Sequence, residues 1–192
     1  TLLYHHTLNS VLGISKKQKA DIAWVFSDSS NKQAYASQYP FRSFKYSDSN
    51  LTRSTLKPFV KDTAYNPGQK GLKKWKMQTA VGGGPVLLQN GMVQVTNNEE
   101  RKFAGKAIDD KHPRTAMGYT NDNRLIILVV EGRSPGVAEG ASLTQQANML
   151  KDLGCWEALN LDGGGSSCLL VNGKETITPS DKGKQRAVPA VF

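Results

Sequence analysis

The run Ala158-Leu159-Asn160-Leu161-Asp162-Gly163-Gly164-Gly165-Ser166-Ser167 constrains the fold more than any other stretch. Three consecutive glycines contribute no packing and carry the largest backbone entropy cost, so an apolar strand stops at the carboxylate and the chain turns. Amide N–H groups freed by such a turn can converge on an anion. A lone Asp-Gly pair would read as an ordinary β-turn. Three glycines flanked by Asn160, Asp162, Ser166 and Ser167 point instead to a site.

A chain of 192 residues fits one domain spanning residues 1–192, long enough to bury a core. The longest apolar run, Leu125 to Val130, is strand-sized and far short of the roughly 18 residues of a membrane span. A start at Thr1 rather than Met reads as a processed or trimmed product. The formal net charge of +9 attracts anions in general. Lysines cluster at Lys16, Lys17 and Lys19, at Lys70, Lys73, Lys74 and Lys76, and at Lys182 and Lys184. With no recognisable nucleic-acid module beside them they read as solvated surface, and no nucleic-acid partner is expected. The two cysteines, Cys155 and Cys168, flank the glycine turn. They fit either a disulfide, if the strands around the turn pair, or two buried free thiols. Neither their spacing nor the neighbouring histidines suggests zinc.

The first eighty residues read mostly as loops and short strands. Ala20 to Phe26 is one strand, and Ser27–Asn31, Tyr46–Thr55 and Phe59–Gly71, around Asn66-Pro67-Gly68, are turns or loops. From Thr79 the pattern sharpens. Val86-Leu87-Leu88 and Met92-Val93-Gln94-Val95 around Asn90-Gly91 form a hairpin. Leu125 to Val130, apolar on both faces, reads as a central strand. Ser142 to Leu153 is a helix with a Ser142/Gln145 capping box, an apolar face of Leu143, Ala147, Leu150 and Leu153, and a stop at Gly154. Ala158–Leu161 is a strand, Cys168–Val171 pairs with the residues beyond the Asn172-Gly173 turn, and Ala187–Phe192 is a closing strand. The expected class is α+β, a single domain with a strand-dominated mixed sheet core and few helices.

Asp162, at a strand end beside a glycine turn, leads the candidates for acid/base work. Asn160, two residues earlier, would share its face on an extended strand and grip the same hydroxylated ligand. Ser166 and Ser167 add donors, but neither lies in a Gly-x-Ser-x-Gly elbow and neither reads as a nucleophile. Arg114, Arg133 and Arg186 stand at strand ends, where planar, permanently charged forks suit phosphate. Glu131 and Glu139 are candidates for the second carboxylate that glycosidic chemistry commonly uses, although Glu139 also suits the positive end of the nearby helix that starts after Ser142. His112, beside Pro113, reads as a polar pocket residue. No cofactor is expected and no metal ligand set is assigned, although a carboxylate beside turn carbonyls suits a hard cation such as Ca²⁺.

Gly83-Gly84-Pro85-Val86-Leu87, His112-Pro113-Arg114-Thr115-Ala116-Met117-Gly118, Glu131-Gly132-Arg133, Gly140-Ala141-Ser142-Leu143 and Leu159 to Ser167 occur in one order. In this the chain resembles the phosphodiester glycosidase family over residues 79–192. Arg186-Ala187-Val188 is similar to the family's late Arg-x-Val element. The family's early Asn-Gly-Gly-Phe-Phe-like segment is not found, which implies a domain short of its N-terminal part or one completed by a partner chain. Glu131 stands where Asp is common, and Ala141 where Met is common.

The resemblance implies a hydrolase cleaving a sugar-1-phosphodiester on a cell-surface or secreted glycoconjugate, in an extracytoplasmic (secreted or periplasmic) setting. It implies Asp162 and Glu139 as catalytic carboxylates, with Arg114, Arg133, Arg186, Asn160, Thr115, Gly163, Gly164, Gly165, Ser166 and Ser167 around the substrate. The alternative is a non-catalytic module that binds anionic glycans or phosphate-containing cell-wall polymers.

Overall fold

The computed structural model describes residues 4–5, 8–28, 32–40, 44–45 and 72–188. Its contacts divide the chain into two compact units, Thr1–Pro85 with Thr96–Phe103, and Val86–Val95 with Ala104–Phe192.

The first unit is built on β2 (Asn9–Ile14), β3 (Ala20–Asp28), β4 (Gln33–Ser37), β6 (Lys73–Trp75) and β7 (Thr79–Gly83), beside a short ribbon of β1 (Tyr4–His5) and β5 (Phe44–Lys45). The five strands lie in the order β6-β4-β3-β2-β7, every pairing antiparallel. Register explains the packing. Val11 faces Ala23, Val25 faces Ala36 and Ala34 faces Trp75, and these six residues form one apolar cluster. On β3 the run Ile22–Val25 is buried throughout, so this strand lies between apolar layers. The first eighty residues are thus more regular than their Ser- and Asn-rich composition suggests. One turn of helix, α1 (Asn97–Glu100), returns to this unit and buries Glu100, whose carboxylate accepts hydrogen bonds from Ser10 and Thr96.

In the second unit β8 (Val86–Gln89), β9 (Met92–Val93), β10 (Arg114–Thr120), β11 (Leu125–Val130) and β12 (Cys155–Asn160) form a sheet in the order β11-β10-β12-β8-β9. The β8–β9 hairpin turns at Asn90 (φ 52°) and Gly91 (φ 73°), the double left-handed geometry that Asn-Gly favours. Helix α2 (Leu143–Asp152) packs on β12 and β8, and its Ser142/Gln145 capping box is formed in both directions. Leu143, Ala147 and Leu150 are fully buried, but Leu153 is half-exposed because the helix has ended and Gly154 has turned the chain away at φ 82°.

The α+β, strand-dominated class is as expected, with the described strand pairings antiparallel rather than mixed. Among the described strands β11 is an edge and not the centre. Leu125 and Ile127 are exposed, and the central position belongs to β12, flanked by β10 and β8. The predicted hairpin at Asn172-Gly173 is present as β13 (Leu170–Val171) and β14 (Lys174–Glu175). Ala187 and Val188 are in no strand, and the rest of the expected closing strand lies outside the described residues, as do the expected turns at 46–55 and 59–71.

Candidate active site at the glycine turn

Strand polarity brings the candidate residues together. In β10 and β12 Ala116 faces Asn160, and in β10 and β11 Arg114 faces Val130, so the start of β10 and the ends of β11 and β12 lie at one edge of the sheet. Three sequence segments beginning at 114, 131 and 160 therefore meet. Leu161 N donates to Thr115 O (2.8 Å) and Gly164 N to Pro113 O (2.9 Å), which pins the glycine turn to the strand carrying Arg114. A Cβ on Gly163 would stand 2.7 Å from Pro113 O, so only glycine permits this approach.

Gly163 N donates to Asp162 Oδ1 (3.0 Å), Ser166 N to Gly163 O and Ser167 N to Gly164 O (both 3.1 Å). With the Gly164 amide bound to Pro113, the amides of Gly163, Gly164, Ser166 and Ser167 are all occupied by protein oxygens. Positive charge comes from side chains instead. The Arg133 guanidinium lies against Gly164, where a Cβ would be 3.1 Å from Nη2 and 3.3 Å from Nη1, and its Nη1 donates to Ser180 Oγ (3.4 Å). Arg133 itself sits at φ 63°, a left-handed backbone that glycine and asparagine adopt readily and arginine does not. Arg186 donates through Nε (3.2 Å) and Nη2 (3.1 Å) to Asp181 Oδ2, and its own N–H reaches Gly165 O (3.4 Å). The Asp181 carboxylate occupies the space that a Gly165 side chain would need.

Asp181 and Ser180 were not singled out in the sequence, although Thr178-Pro179-Ser180-Asp181-Lys182-Gly183 reads as a turn. Lys182 and Gly183 both take positive φ there. Glu131 holds this segment in place by accepting Thr178 N at its Oε2 (3.1 Å). That gives Glu131 an anchoring role in place of the second acid.

Arg114 is 5% exposed and donates to Ala141 O (2.9 Å), Ala107 O (3.2 Å) and Asp110 O (3.0 Å), tying three loop segments to the start of β10. Burial, then the nearby Arg133 charge, push its pKa down. His112 is held by a two-way backbone bridge to Ala141, and a Cβ on Gly140 would touch its backbone at 2.5 Å. Its buried Nδ1 has no hydrogen-bond partner among the described residues. Burial, Arg114 and Arg133 all lower its pKa, so the ring is neutral near pH 7.

Other candidates separate. Asn160 is buried and Asp162 exposed, because β12 ends at Asn160 and the turn carries Asp162 out, so the two do not form the expected pair on one strand face. Thr115 Oγ1 and Ser167 Oγ share a hydrogen bond of 3.0 Å, and Ser167 is buried, so both brace the turn. Ser166 is half-buried at the end of a short 3-10 turn, Gly164–Ser166. Glu139 pairs with Lys111 at 2.5 Å, and that ammonium group holds its carboxyl below the usual range. Cys155 and Cys168 are free thiols, and burial pushes the Cys155 thiol up to about 11. Among the described residues no cluster of three or more His, Cys, Asp and Glu could hold a metal, and no helix is long and apolar enough to cross a membrane.

The chain is 42% identical over 78 residues to an SPbeta prophage-derived uncharacterized protein of Bacillus subtilis (strain 168), covering 41% of this chain and 12% of that one. It is 30% identical over 103 residues to the human N-acetylglucosamine-1-phosphodiester alpha-N-acetylglucosaminidase and 28% to the mouse enzyme, covering 50% of this chain and 20% of each relative. The chain thus spans a fifth or less of these relatives. Its fold matches the catalytic domain of the zebrafish N-acetylglucosamine-1-phosphodiester alpha-N-acetylglucosaminidase, auto-inhibited by its pro-peptide, with a TM-score of 0.54 at 22% identity, covering 94% of this chain and 50% of that one. It also matches a putative exported protein of Burkholderia pseudomallei K96243, with a TM-score of 0.56 at 16% identity, covering 96% and 57%. A family model described as phosphodiester glycosidase matches residues 11–192, reaching well before the motifs that begin near residue 79. The chain belongs to the phosphodiester glycosidase family.

Proposed function

We propose that this chain hydrolyses a sugar-1-phosphodiester, releasing the free sugar and a phosphomonoester. The observation that carries the reading is the set of three charged groups on one glycine turn: Arg133 against Gly164, Arg186 tethered at Gly165 through Asp181, and the exposed Asp162 carboxylate. Water attacks the anomeric carbon, the bond from that carbon to the phosphate oxygen breaks, and the electron pair leaves with the phosphate. The arginines stabilise the charge that grows on it, and a leaving group of such low basicity needs little help from an acid. Asp162 takes the proton of the attacking water. Glu139, ionised beside Lys111, is the other carboxylate available for that step.

The substrate class extends to phosphodiester-bearing glycoconjugates in an extracytoplasmic setting, as expected from the family. One observation favours a binding module instead: Glu131 holds Thr178 N, Glu139 is ion-paired with Lys111 and Asp181 with Arg186, so among the described residues Asp162 alone of these carboxylates has no partner beyond the adjacent Gly163 amide.

The test is release of sugar from UDP-N-acetylglucosamine or another N-acetylglucosamine-1-phosphodiester by the chain and by Asp162→Asn. Asparagine retains an oxygen to accept the Gly163 amide, so the variant folds, and turnover falls on the order of 10²-fold or more. A folded variant with full activity removes Asp162 from the mechanism. Saturable binding without turnover by either protein favours the binding module.

A further inference from the structure

The first unit carries a cleft of about 780 Å³ whose described lining residues include five lysines, Lys16, Lys17, Lys32, Lys74 and Lys76, with Trp75 among them and no carboxylate. They come from three places. Lys16 and Lys17 lie in the turn between β2 and β3, Lys32 precedes β4, and Lys74 and Lys76 lie on and just after β6. All five are exposed, and among the described residues none forms an ion pair. Five like charges around one concavity repel one another, and the energy is recovered when a polyanion enters.

Trp75 gives the cleft a second kind of recognition. Its Nε1 donates to Asp21 Oδ2 (2.6 Å), and its ring edge fills the space above Gly13 where a side chain would stand. The ring is therefore fixed before any ligand arrives, half-buried, and it lines the cleft together with the lysines. A fixed indole suits the C–H face of a sugar ring, and ammonium groups meet phosphates as point charges.

We propose that this cleft binds a glycan polymer whose sugars are spaced by phosphodiesters, with one sugar on Trp75 and flanking phosphates on the lysines. One aromatic among the described lining residues favours this ligand over single-stranded nucleic acid, which is gripped by several stacking residues in succession. The choice of a sugar-phosphate ligand rests on the sugar-1-phosphodiester hydrolysis proposed for the glycine turn. The presence of a polyanion site does not.

The probe is a short synthetic poly(glycerol phosphate) bearing N-acetylglucosamine on its glycerol hydroxyls, which has phosphodiesters and sugars but no sugar-1-phosphodiester bond to be cleaved. Binding by the full chain is compared with the same polymer without sugars and with an oligo-dT of equal charge. The double variant Lys16→Glu/Lys74→Glu binds roughly 25-fold more weakly or worse, since each cation near an anionic surface contributes about fivefold. It hydrolyses the small N-acetylglucosamine-1-phosphodiester as before. Trp75→Ala loses the preference for the sugar-bearing polymer. Unchanged binding by the double variant overturns the site, and tighter binding of oligo-dT overturns the assignment of its ligand. A chain that hydrolyses nothing yet binds the polymer through these lysines refutes the proposed function and supports the cleft.

Discussion

Arg133→Gly separates what the turn needs for folding from what it needs for chemistry. Arg133 sits at φ 63°, which costs an L-residue about 1–2 kcal/mol, and glycine there relieves it. Glycine also adds unfolded-state freedom worth about 0.5–1 kcal/mol. The exposed side chain surrenders one 3.4 Å hydrogen bond to Ser180, which contributes little at the surface. The balance is about 0 to +1 kcal/mol, or a Tm change of roughly 0 to +4 °C for a chain of this size. Removing the guanidinium beside Gly164 takes away charge stabilisation of the leaving phosphate, worth about 3 kcal/mol, so turnover drops on the order of 10²-fold. Thermal unfolding and sugar release measured on one preparation read both quantities. A Tm loss of several degrees would show that Arg133 holds the turn together, and retained turnover would show that it does not face the reacting phosphate.

Gly165→Ala keeps a backbone any residue can adopt but places a methyl group on the Asp181 carboxylate. Asp181 swings away and releases Arg186, with kcat/KM falling roughly tenfold and Tm nearly unchanged; adding Asp181→Ala to it lowers kcat/KM no further, since both changes break one tether. His112 is held neutral by burial and by Arg114 and Arg133, with its folded pKa below the ordinary 6.5. Its contribution is complete above pH 6.5 and is lost as pH falls, because the unfolded ring takes up a proton before the folded one does. Unfolding midpoints therefore fall more steeply below pH 6.5 for the wild-type chain than for His112→Gln, and parallel curves would refute the assignment. With Cys155 buried and its thiol pushed up to about 11, a thiol reagent at pH 8 labels Cys168 first, while denaturant makes both react at once. Equal labelling in the native chain would contradict the burial.

Local chemistry made the second unit legible. Asn90-Gly91 and Asn172-Gly173 dictate their turns by conformational preference, and Ser142 with Gln145 dictates a helix start. What stayed hidden depended on distant neighbours. Leu125–Val130 looks central because all six residues are apolar, yet a strand becomes central only through what pairs on both sides of it, and β10 lies on one. Asn160 and Asp162 have the spacing of one strand face, but the strand ends between them. Asp162 and the three arginines were readable as charges at strand ends. That Arg114 ties loops together while Arg133 and Arg186 stand at the turn depends on carbonyls and on Asp181, which no local pattern announces. The five-stranded sheet of the first unit was obscured, apart from the strand at Ala20–Phe26, because polar segments divide its strands.

The meeting of three strand ends at one edge has a kinetic consequence. Residues 114 and 131 come together in the local β10–β11 hairpin, but residue 160 joins them only after the longer-range pairing of β10 with β12, the slower kind of contact in folding. A slip of β10 by one residue would send Arg114 to the opposite face of the sheet and separate Pro113 from Gly164, while leaving most strand content in place. Turnover regained during refolding therefore reports correct strand alignment, and it lags the recovery of secondary structure.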